Sequence, residues 1–118
     1  MNLYFYMKAP DVASHDGNPE QKIQVIERID SMLRYLLGNV DWGSTYLAVT
    51  ADHTTSLVTG NHEGDPVPIV ITGPYVRRDD VEEFDERSCA KGGLSRIRSR
   101  DLLPILTNLL GKTRKFGA

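Results

Sequence analysis

Leu3-Tyr4-Phe5-Tyr6-Met7, the helical stretch opened by Asn18-Pro19-Glu20, and Tyr46-Leu47-Ala48-Val49-Thr50 together decide the fold. The first run is apolar and aromatic without alternation, as expected of a strand covered on both faces of a parallel sheet. Asn18 is a preferred N-cap, Pro19 suits the first helical position, and Glu20 complements the helix dipole. Ile23, Ile26, Ile29, Leu33 and Leu36 then recur at helical spacing, widened by Val25, Met32 and Leu37, with Gly38 as a natural stop. A membrane-surface or partner-binding helix carries the same pattern; a core-facing helix is the reading adopted. Strand, helix and strand over this distance form a right-handed βαβ unit.

Working outward, Val67-Pro68-Ile69-Val70-Ile71-Thr72 is a third apolar run, closed by Gly73-Pro74. Arg77 to Arg100 is charged and glycine-containing, and Leu102, Leu103, Ile105, Leu106, Leu109 and Leu110 form a last helix, which tolerates Pro104 only in its first turn. Lys112-Thr113-Arg114-Lys115 reads as a solvated basic end. The fold class is therefore α/β: a mostly parallel core near residues 3–8, 46–51 and 67–72, with helices near 19–37 and 101–111.

The chain has 118 residues and a formal net charge of −2, with 40% hydrophobic and 25% charged residues. That size fits one domain spanning 1–118. Near-neutral charge gives no general electrostatic case for nucleic acid or an anionic membrane. No apolar run reaches the roughly 20 residues that a membrane-spanning helix needs. Cys89 is the single cysteine, which excludes an internal disulfide framework and suits a reducing compartment. The expectation is a cytoplasmic protein.

The chemistry gathers around three histidines, each beside an acid. Asp11 and His15 follow the first run, Asp52 and His53 follow the second, and His62 precedes the third in Asn61-His62-Glu63-Gly64-Asp65. Ligands in open parallel sheets bind at the carboxyl ends of strands. Imidazole and carboxylate are the usual protein ligands of Zn²⁺ and Mn²⁺, and two such ions can clamp a phosphoryl group in transfer. Ser14, Ser44, Thr54 and Ser56 lie close by, but none stands in a Gly-x-Ser-x-Gly elbow. Lys91 with Gly92-Gly93 lacks the spacing of a phosphate-binding Walker loop. Arg77-Arg78 reads as a solvated turn, and Cys89 has no activating signature.

Lys-Ala-Pro-Asp-Val-Ala-Ser-His-Asp-Gly (8–17), Thr-Ala-Asp-His-Thr-Thr (50–55) and Asn-His-Glu-Gly-Asp-Pro-Val-Pro (61–68) closely resemble cofactor-independent phosphoglycerate mutase. The archaeal-type branch, within the alkaline phosphatase superfamily, is the one they match. Glu-Glu-Phe-Asp-Glu-Arg-Ser-Cys-Ala-Lys-Gly-Gly-Leu-Ser-Arg-Ile-Arg (82–98) extends the likeness over nearly the whole chain. Ser14 and Ala51 stand where glycine is common in that family, and Glu63 where a small residue is usual.

The resemblance implies a bimetal centre of manganese or zinc. Asp11, His15 and His62 would bind one ion, and Asp52 with His53 the other. The family's remaining ligands, an early Asp and the serine nucleophile, find no match here, so the chain is expected to be the C-terminal part of the enzyme. No catalytic nucleophile is then assigned within it, and Lys91 and Arg96 are the candidates for substrate contact. About one tightly held ion is expected in this chain, against two in the complete enzyme. The implied reaction interconverts 3-phosphoglycerate and 2-phosphoglycerate through a phosphoserine. A related metal-dependent phosphohydrolase, or a non-catalytic metal-binding module of a split enzyme, are the alternatives. An N-terminal partner segment and self-association through bare sheet edges are also expected.

Overall fold

The computed structural model describes residues 3–114; of the basic C-terminal end, Lys115 lies outside them. The chain forms two compact units. The first comprises the residues up to Val40 together with His53–Asp65; the second comprises Asp41–Asp52 and the residues from Pro66 onward.

In the first unit, α1 (Ala9–His15) begins at a proline in its first turn, and α2 (Pro19–Asn39) follows after a short turn. The Asn18 side chain accepts from the backbone N–H of Gln21 at 3.0 Å, the capping that the sequence suggests. Ala13 and Ser14 of α1 are fully buried, and Ser14 Oγ donates back to the Pro10 carbonyl. Val25, Ile29 and Met32 of α2 line a hollow with Phe5, Met7 and Ala9. These three residues of α2 belong to the expected stripe, of which Ile23 and Ile26 are 58 and 49% exposed. Nor does Gly38 end α2, which runs on to Asn39; the Asn39 side chain donates to the Tyr35 carbonyl.

The strands β2 (Thr54–Thr55) and β3 (His62–Glu63) form a short antiparallel ladder in this unit, pairing Thr54 with Glu63 and Thr55 with His62. Its turn is closed by Ser56 N–H to the Asn61 carbonyl and Gly60 N–H to the Ser56 carbonyl. Gly60 sits in the left-handed region, at φ 65°. Lys22 Nζ of α2 reaches the Thr55 carbonyl at 3.4 Å.

In the second unit, β1 (Leu47–Thr50) pairs with β4 (Ile69–Thr72) in register Leu47 to Thr72 through Thr50 to Ile69. Gly73, at φ 155°, follows β4; a Cβ there would run into the Tyr46 ring, so glycine suits the place beneath it. The unit also holds α3 (Glu86–Cys89), capped by Asp85, and α4 (Ser99–Leu109).

Three expectations are corrected. Residues 3–8 are not a strand: the run carries no regular secondary structure, and Leu3, Tyr4 and Phe5 are 79, 83 and 65% exposed. A strand needs a neighbour to take its backbone hydrogen bonds. The other two apolar runs do form strands, but β1 and β4 pair antiparallel, not parallel. Parallel pairing needs a crossover, usually helical, and the segment between them carries the β2–β3 hairpin instead. Finally, α4 begins at Ser99, so Pro104 lies inside it and past the first turn. Proline has no N–H to offer, and the helix forgoes that bond. Mixed helix and strand content stands, in two small sheets.

Candidate metal centre

α1 starts at Ala9, with Pro10 in its first turn, so Asp11 and His15 stand on a helix. Four residues apart, they share one helix face. His53 lies two residues before Thr55, and Thr55 faces His62 across the β2–β3 ladder. A strand's side chains alternate with period two, which sets Thr55 and His62 together while Glu63 turns away. The Glu63 carboxylate indeed accepts from Thr59 Oγ1 at 2.8 Å, part of the hairpin turn.

These elements bring four chemistry-bearing side chains together. His15 Nε2 lies 3.3 Å and His62 Nε2 3.7 Å from the same oxygen, Asp11 Oδ1. The His15 and His62 ring centroids are 5.2 Å apart, and those of His53 and His62 are 3.8 Å apart and stacked. Donor atoms of Asp11, His53 and His62 all lie within 4.8 Å of one another. The tightest group therefore contains His53 where the family resemblance places His15; Asp11 and His62 belong to both groupings.

Two residues not singled out from the sequence order this cluster. Thr55 is 7% exposed, and its Oγ1 donates to Asp11 Oδ1 at 2.7 Å. Gly60 offers its carbonyl to His15 Nδ1 at 2.6 Å. A carbonyl can only accept, so Nδ1 carries the proton and His15 Nε2 is turned towards Asp11. The readable signals were the two-residue spacing from His53 to Thr55 and a glycine in a tight turn.

The Asp11 carboxyl is held below its ordinary value, chiefly by the Thr55 hydroxyl and further by the three histidines. It is an anion at neutral pH. Carboxylate and imidazole lone pairs converging at these distances repel unless a proton or a cation lies between them. Oxygen and nitrogen donors of this kind suit zinc and manganese, so the residues fit a divalent ion.

The other expected residues belong to the second unit. Asp52 is exposed and belongs to the second unit, directly after β1. Lys91, in that unit, borders a hollow with Asp80, Glu82, Glu83 and Ser88, surroundings that disfavour an anionic ligand. The Gly93 N–H beside it is held by Asp79 Oδ2 at 2.6 Å, so an internal carboxylate occupies the place an anion would take. Arg96 is exposed. The hydroxyls near the acids are engaged structurally: Ser44 with Asp41, Thr54 with the Asp65 carbonyl, and Ser56 with the N–H groups of Val58 and Thr59. No helix of the described residues is long and apolar enough to cross a membrane.

Residues 3–109 match the Metalloenzyme superfamily, and the chain belongs to it. Among its relatives is the 2,3-bisphosphoglycerate-independent phosphoglycerate mutase of Pyrococcus abyssi, 46% identical over 116 residues. The mutase of Methanococcus vannielii is 50% identical over 112 residues. These alignments take in 98% and 95% of this chain but only 28% of each relative, its C-terminal part. A solved protein structure from Pyrococcus horikoshii superposes with a TM-score of 0.88 at 47% identity, covering 92% of this chain and 33% of that one.

Proposed function

We propose that this chain is the C-terminal metal-binding segment of a phosphoglycerate mutase, interconverting 3-phosphoglycerate and 2-phosphoglycerate. The observation that carries this reading is the convergence of His15 and His62 on one oxygen of Asp11, in a chain nearly half identical to such mutases. Asp11, His15 and His62 would hold one manganese or zinc ion, and His53 with Asp52 would contribute to a second. Such ions neutralise charge on phosphoryl oxygens and activate a hydroxyl for attack.

The residues of this chain present the ligands in fixed orientation and supply no nucleophile. The phosphoryl group would pass through a serine on a segment outside this chain, a partner that would also complete the second metal site. In that assembly Leu3–Met7 becomes a strand of a mostly parallel sheet in a cytoplasmic enzyme. Exposed apolar side chains at Leu3, Tyr4 and Phe5 support this, because a strand run with that composition is normally covered.

The test is reconstitution. The chain alone should give no conversion of 3-phosphoglycerate. Mixed with a separately produced N-terminal segment carrying the early Asp and the Ser, it should restore turnover that depends on added Mn²⁺ or Zn²⁺. Turnover by this chain alone, or a soluble complex with no mutase activity, would overturn the reading.

A further inference from the structure

The Thr55 hydroxyl stands between two polar side chains. It has one hydrogen, and Oγ1 touches both Asp11 Oδ1 at 2.7 Å and His53 Nδ1 at 3.2 Å. An ionised carboxylate can only accept, so the hydroxyl hydrogen goes to Asp11. The contact with His53 is then a bond only if Nδ1–H donates to Oγ1. We infer that Thr55 is a positioning residue, relaying Nδ1–H of His53 to its own hydroxyl and that hydroxyl to Asp11, and so fixing the ring of one and the carboxylate of the other. His53 is thereby set with its proton on Nδ1, and its Nε2 carries the lone pair in the neutral ring.

The surroundings hold Thr55 to this task. It is nearly buried, its carbonyl receives Lys22 Nζ, and its backbone is paired with His62 across the ladder. Its side chain lies between a helix residue and a strand-entry residue, and joins α1 to the hairpin without offering a ligand atom of its own. Partners that orient metal ligands commonly contribute 10- to 100-fold in metal affinity. The inference rests on the metal-site reading only for that affinity; the tautomer is a property of the metal-free chain.

The test compares the wild-type chain with Thr55→Val, which keeps the shape and removes the hydroxyl, and Thr55→Ser, which keeps the hydroxyl. Imidazole ¹⁵N shifts of the metal-free chain at pH 8 should place the His53 proton on Nδ1 in the wild type and in Thr55→Ser. In Thr55→Val that preference should be lost. Titration with Mn²⁺ alone should show affinity roughly 10- to 100-fold weaker in Thr55→Val and near wild type in Thr55→Ser. Circular dichroism identifies an unfolded variant, and the wild-type tautomer then decides. A His53 proton on Nε2 in the wild type overturns the inference, as does Thr55→Val binding Mn²⁺ like the wild type. Absence of metal uptake by the wild type, with the Nδ1–H tautomer present, would instead overturn the metal-site reading and leave the relay standing.

Discussion

The imidazole of His53 lies on that of His62, with ring centroids 3.8 Å apart and planes 29° from parallel. The register of a two-pair ladder produces this: Thr55 faces His62, and His53 precedes Thr55 by one period of the strand. A slip of one residue would turn this set of side chains to the other face.

Gly60 guards that register. Its φ of 65° closes the hairpin turn, and an added Cβ would stand 3.4 Å from the His15 carbonyl oxygen. Gly60→Ala should cost about 1–2 kcal/mol, the usual cost of a left-handed residue with a Cβ. Thermal unfolding measures it; an unchanged midpoint would show that the turn relaxes freely.

Asn18 sets the start of α2 through its bond to Gln21 N–H. Asn18→Ala should destabilise the chain by about 1 kcal/mol, while Asn18→Ser should retain most of the stability. Denaturant titration of both variants checks the pair.

The capped start of α2 was legible because local rules act there alone: a polar cap, a proline at the first turn and an acid after it. The positions of β1 and β4 were legible for a similar reason, as short β-branched runs bounded by glycine. Their pairing sense was not read, although the stretch from Ala51 to Pro66 has no helical period that could carry a parallel crossover. Leu3–Met7 reads as a strand from composition, but a strand is completed by a neighbour, which no local pattern supplies. At the site, Asp11, His15, His53 and His62 stood out as residue types beside acids. Thr55 did not, because its importance comes from a contact with Asp11 across 44 positions of sequence.

Acid should loosen the second unit through Asp79 and Asp85. Asp79 is held below the ordinary carboxylate range by the backbone N–H groups of Gly93 and Val81. Asp85 is held there by the backbone and hydroxyl of Ser88, and further by Arg87. Both folded values lie below the unfolded ones, so their stabilisation is present above roughly pH 4 and is lost as pH falls through the folded values. The unfolding midpoint should drop below pH 4 less steeply in Asp79→Asn than in the wild type. Equal slopes would contradict the assignment.

The exposed Leu3, Tyr4 and Phe5 should drive self-association of the isolated chain, since such a run seeks cover. Sedimentation velocity should show concentration-dependent species in the wild type and a monomer in the double variant Tyr4→Lys, Phe5→Lys. A wild-type monomer at high concentration would refute this.

Calorimetric titration of the 118-residue chain with Mn²⁺ and with Zn²⁺ at neutral pH tests the central claim, using His62→Ala as the comparison. His62 is the histidine shared by both groupings of the site, adjacent to Asp11, His15 and His53 alike. The account predicts uptake of about one ion per chain by the wild type, as three protein ligands with an open position allow, and its loss in the folded His62→Ala variant. A wild-type chain that takes up neither ion, or a variant that binds as tightly as the wild type, would contradict it.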